Sequence, residues 1–87
     1  MNIRFMCEAL NYFGQRARSE RNMIIINSVR MTVRDNTIFS DFGRTSFTGA
    51  SQFLKIMFYE AVIIGADKDA ILLYYNSLVN QKSFVTK

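Results

Sequence analysis

Residues 3–13 carry apolar side chains at helical spacing, Ile3, Met6, Leu10 and Phe13, with Ala17 one turn beyond. Asn2 stands where an N-cap would. Gly14 either closes this helix or lets it run on to about Ser19. The polar stretch Gln15–Asn22 carries Arg16, Arg18 and Arg21 and reads as a connection. From Met23 to Val33 the chain turns β-branched, which begins a strand. Val29, Met31 and Val33 alternate there with Ser28, Arg30, Thr32 and Arg34, so one side is apolar and the other cationic. Asp35 and Asn36 both tolerate the positive φ that a two-residue hairpin turn demands. That turn sets a register in which Val33 meets Ile38, Thr32 meets Phe39, Arg30 meets Asp41 and Val29 meets Phe42. Val33–Ile38 and Val29–Phe42 then share one face, and an Arg30–Asp41 ion pair lies on the other. Gly43 marks a bulge or turn before a continuation through residues 44–47.

Thr48 is the expected N-cap of a helix over about 49–64. That segment is apolar nearly all round, with Gln52, Lys55 and Tyr59 as its narrow polar strip, so it must be buried on several sides. Gly65 is expected to end it as a C′ glycine. Asp67 caps a last helix over about 68–81, with Asp69 in its first turn where a carboxylate suits the dipole. Ile71, Tyr74, Tyr75 and Leu78 form its apolar stripe. The tail 82–87 is expected to fray, with Phe84 and Val85 able to dock. The fold class is therefore α+β: an N-terminal helix, an antiparallel hairpin or small sheet over about 23–47, and two C-terminal helices packed on that sheet. One compact domain spanning 1–87 is expected, since 87 residues leave no room for a second core.

Composition narrows the function by exclusion. The chain has no His and a single Cys, Cys7. An intrachain disulfide is impossible, and the usual zinc ligand sets cannot be assembled. The commonest general base and the Ser-His and Cys-His nucleophile pairs are missing too. No catalytic, cofactor-binding or metal site is expected, and the protein is read as non-enzymatic. Asp41-Phe42-Gly43 matches the magnesium-binding tripeptide of protein kinases by coincidence, because no His-Arg-Asp loop accompanies it. Gly43–Gly49 lacks the Gly-Lys-Ser/Thr ending of a phosphate loop. No stretch is apolar over the roughly 20 residues that a bilayer span needs. Absence of a leader and of paired cysteines points to a reducing, cytoplasmic location.

Charge then picks out a surface. The formal net charge is +4, and every arginine lies at or before Arg44. Guanidinium forks grip planar anions and anchor interfaces. Arg18, Arg21, Arg34 and Arg44 are the expected partner-binding residues, around one end of the hairpin. Arg30 is assigned to Asp41, and Arg16 points away if its segment is helical. With 49% hydrophobic and 14% aromatic residues, the chain has apolar surface to spare, so a homodimer or stable partner is expected, with Tyr59 and Tyr74 as self-association residues. The leading reading is a small interaction protein that binds an acidic surface of a larger intracellular protein or nucleoprotein complex, as a stoichiometric inhibitor or adaptor. Its richness in Ile, Asn, Phe and Tyr suits a phage or mobile-element inhibitor of host defence. The alternative is a dimeric nucleic-acid-binding protein whose Arg-rich hairpin contacts phosphates. With Phe39 the one ring expected on the cationic face, a base-stacking platform is not anticipated.

Overall fold

Tight turns fold residues 17–46 into a five-stranded antiparallel meander, in a computed structural model that describes the backbone of residues 1–85 and side chains as far as Gln81. The strands are β1 (Ala17–Glu20), β2 (Met23–Ile26), β3 (Val29–Arg34), β4 (Thr37–Ser40) and β5 (Gly43–Ser46). Helix α1 (Ile3–Tyr12) precedes the sheet; α2 (Ala50–Tyr59) and α3 (Lys68–Val85) follow it. The α+β class, with an N-terminal helix and two C-terminal helices on an antiparallel sheet, is as the sequence predicts.

The sheet is larger than a hairpin because the chain also reverses at Asn27-Ser28 and at Arg21-Asn22, where the sequence predicts no hairpin turn. Asn27 and Ser28 adopt φ of 50° and 74°, splitting the β-branched run into β2 and β3. Arg21, at φ 57°, turns the polar segment into β1 paired with β2. Asp35 and Asn36 adopt φ of 52° and 58°, the turn expected there, and Val33 pairs with Ile38 and Thr32 with Phe39. Two pairings of that register do not form. The chain turns at Asp41-Phe42 into β5, so Ser40 pairs with Gly43 and the β3–β4 ladder ends at Thr32–Phe39. Arg30 and Asp41 make no ion pair, and Val29 faces Ile26 instead of Phe42.

Strand alternation sorts the sheet into two faces. Ile24, Ile26, Met31 and Ile38 are fully or almost fully buried on one of them, joined by Phe47 just past β5. Met6 and Leu10 of α1, Phe53, Leu54 and Met57 of α2, and Ile71 and Tyr75 of α3 pack into the same cluster. Each fully buried side chain of this size contributes about 1.5–3 kcal/mol through its removal from water.

The helix ends explain how the layer closes. Asn2 caps α1 by accepting the Phe5 N–H, and its own N–H donates to the Tyr75 hydroxyl at 2.8 Å, joining α1 to α3. Gly14, at φ 87°, ends α1: its N–H donates to the Asn11 carbonyl and that of Gln15 to Leu10. Helix α2 stops well before the expected Gly65. Ala61 takes the left-handed C′ position at φ 59°, and the Val62 N–H reaches back to the Met57 carbonyl. Val62 and Ile63 are buried because the non-helical link passes over the core. The N-cap of α2 is Gly49, not Thr48; Thr48 instead donates its N–H and hydroxyl to Gln52 Oε1. Asp67 caps α3 as anticipated, accepting the Asp69 N–H at 2.9 Å. Helix α3 continues past residue 81 to Val85, and the expected docking of Phe84 and Val85 lies outside the described side chains. No helix among the described residues is long and apolar enough to cross a membrane.

Candidate functional site

With the helices on one face, the opposite face of the sheet is left open, and none of its outward side chains is buried. The register writes this face as three rows. Arg18, Ile25 and Arg30 lie across β1–β3. Glu20, Met23, Thr32, Phe39 and Arg44 cross the whole sheet. Arg34, Thr37 and Ser46 complete it. Arg16 precedes β1 by one position and shares parity with Arg18, because a strand repeats every second residue. On a helix Arg16 would point away from Arg18; extended backbone puts it alongside.

Two features stand out on this face. The first is a groove of about 460 Å³ at the edge of β1, lined by Arg16, Arg18 and Arg30 with Asn11, Ile25 and Ser28. Arg18 and Arg30 flank Ile25 across two strand spacings, roughly 9–10 Å. The second is Phe39, with the Arg34 guanidinium 5.6 Å and the Arg44 guanidinium 6.0 Å from its ring centroid. Such contacts draw a guanidinium towards a ring and leave its N–H groups free to donate.

Glu20 is the single acid in these rows, and it is engaged by Arg18 at 2.9 Å. Both side chains of that pair are more than 60% exposed, so the contact orients more than it stabilises. Among the described residues the only other ion pair is Lys68–Asp69. Arg30, Arg34 and Arg44 therefore carry no carboxylate partner there. A carboxylate or phosphate meeting any of them displaces only water, and the guanidinium offers paired donors.

The expected site residues are divided by this geometry. Arg18, Arg34 and Arg44 share the open face with Arg30, which does not form the ion pair expected with Asp41. Arg21 sits in the β1–β2 turn at the Arg34 end of the sheet, exposed and in left-handed backbone. Tyr59 is 85% exposed at the end of α2, beside β5. Tyr74 instead stacks on Tyr12 within the chain, ring centroids 4.3 Å apart, with Phe13 edge-on to both. Cys7 is buried; burial lifts its thiol above the ordinary 9.0, and the influence of Ser19 partly offsets the rise. No family model, no curated protein and no solved structure matches this chain.

Proposed function

We propose that this chain is a non-enzymatic interaction protein whose open sheet face docks on an acidic surface of a larger protein or nucleoprotein complex. The observation that carries the reading is Arg30, Arg34 and Arg44 on one uncovered face, without carboxylate partners among the described residues, two of them within 6.0 Å of the Phe39 ring centroid. A sheet that fixes where each arginine leaves the backbone spares the cost of ordering the main chain on binding. Met23, Ile25 and Phe39 supply an apolar floor between the cations, which suits an interface of mixed character. Acting by occupancy, it would serve as a stoichiometric inhibitor or adaptor in the cytoplasm, including the role of a phage or mobile-element inhibitor of host defence.

The test compares affinity capture from the native cell, after nuclease treatment, by wild-type protein and by Arg30→Ala/Arg34→Ala/Arg44→Ala. The expected result is a defined acidic protein held stoichiometrically by the wild type and lost with the triple variant. Equal capture by both proteins would refute the assignment of this face.

Phe39 between two guanidinium groups also favours a second reading, nucleic-acid binding through phosphates with one stacked base. Titrating labelled duplex and single strands at about 50 and about 200 mM salt separates the two. Phosphate contacts predict affinity falling with a log–log slope of about −0.9 for each duplex phosphate neutralised. Absence of binding at the lower salt removes this second reading.

A further inference from the structure

The two edges of the sheet are treated differently by the rest of the chain. Helix α1 packs along β1, and the Asn11 side chain mimics a neighbouring strand there. Its amide donates to the Ala17 carbonyl at 2.8 Å and accepts the Ala17 N–H at 2.9 Å. That edge is closed at Ala17. At the other edge, the Phe47 N–H donates to Asn36 at 2.9 Å. Antiparallel ladders alternate, so Gly43 and Thr45 also direct their backbone groups to β4, while Arg44 and Ser46 direct theirs outward. Among the described residues no strand lies beyond β5. An open row of donors and acceptors of this kind is a template for another strand.

We propose that a second copy of this chain occupies the β5 edge, pairing β5 with β5 about a two-fold axis through Thr45. In that register Arg44 of each copy lies opposite Ser46 of the other, and each such pair exchanges both backbone hydrogen bonds. The outward positions of β5 are thus complementary to themselves, as an isologous interface requires. The Arg44 side chains of the two copies are diagonal neighbours about 7–8 Å apart, not directly opposed.

The floor beside this edge identifies the occupant. A groove of about 470 Å³ runs between β5 and α2, lined by Thr45, Ser46, Lys55, Ile56, Tyr59 and Glu60. Its charges are one cation and one anion, Lys55 and Glu60. A strongly acidic segment meets Glu60 and a strongly basic one meets Lys55, whereas a two-fold copy sets Lys55 against Glu60 of the second copy. The same symmetry brings the two α2 helices side by side and lets Tyr59, 85% exposed in one chain, cover Ile56 of the second copy. Both open faces then lie on the same side of one continuous ten-stranded sheet, so the two Arg34–Phe39–Arg44 clusters become neighbours. This pairing holds whichever ligand the arginine face takes.

Sedimentation velocity and light scattering from micromolar to millimolar protein test it. The wild type should show a species of twice the 10.1 kDa chain mass. Tyr59→Glu should weaken dimerisation by about 30-fold or more, as loss of a buried aromatic anchor does. Lys55→Glu should weaken it by about 10-fold, and adding Glu60→Lys should restore it. Ser46→Pro removes an outward N–H that makes no ladder bond within the chain, so it should block pairing while keeping the circular dichroism spectrum. If Ser46→Pro fails to fold, Tyr59→Glu and the charge reversal decide. A wild type that remains monomeric at millimolar concentration overturns the proposal, and so does a dimer indifferent to Tyr59→Glu and the charge reversal.

Discussion

Replacing Asn27 strikes the one side chain that joins the β2–β3 turn to the link between α2 and α3. Its Oδ1 accepts the Arg16 N–H at 2.9 Å; its Nδ2 donates to Gln15 Oε1 at 2.7 Å and to the Val62 carbonyl at 2.8 Å. Gln15 is itself buried and passes the connection on to the Ile64 carbonyl at 3.0 Å. Three hydrogen bonds, two of them part-buried, are together worth about 3 kcal/mol. Asn27 also holds φ at 50°, a conformation that costs most L-residues about 1–2 kcal/mol and glycine nothing. Asn27→Gly therefore loses the bonds alone and should cost about 3 kcal/mol, while Asn27→Ala adds the backbone cost and should reach about 4 kcal/mol. Against a total stability of roughly 4–13 kcal/mol for a chain of this length, either change is severe. Urea unfolding followed by circular dichroism measures both, and the glycine variant should melt about 12–24 °C below the wild type. A glycine variant within about 0.5 kcal/mol of the wild type would show that the network does not hold the loop. An alanine variant more stable than the glycine variant would contradict the backbone part of the reasoning.

Two further predictions address single positions. Ala61 occupies a left-handed helix-ending position and is exposed, so Ala61→Gly should stabilise the protein by about 0.5–1 kcal/mol in the same urea assay; a loss of stability would count against this account of the α2 terminus. The buried Cys7 thiol keeps its proton to higher pH when folded than when unfolded. Its contribution is complete below pH 9.0 and is lost as pH rises above 9.0, where the unfolded chain ionises first. Stability should fall more steeply above pH 9.0 in the wild type than in Cys7→Ala, and equal slopes would refute the shift.

The parts of the fold legible in the sequence are those governed by a few adjacent residues. Asp35-Asn36 announces its turn because both side chains tolerate positive φ, and the alternation from Val29 to Val33 sets the pairing that follows. Asn2 and Asp67 announce helix starts by the same local logic. Asn27-Ser28 stays hidden inside an apolar run because its turn is secured by Gln15 and Val62, which are remote in sequence. Strand β1 is hidden for a related reason. Ala-Arg-Ser-Glu has little β propensity, and the strand is held by pairing with β2 and by Asn11 of α1. Val62 and Ile63 read as helix because burial and helical spacing give the same apolar signal over so short a stretch.

The candidate site depends on the same strand pairing. While residues 15–22 read as a helix or connection, Arg16 and Arg18 point apart; as extended chain they point together. With Arg30 matched to Asp41, it drops out of the site; once β4 ends at Ser40 and the chain turns, Arg30 stands beside the Arg18 groove. Residue chemistry alone thus determined that this is a small α+β chain with its guanidinium groups crowded into one half and no histidine chemistry. Which of those groups share a face, which carry no carboxylate partner, and which sheet edge remains open were decided by strand pairing. Pairing depends on contacts between segments that no local stretch of sequence contains.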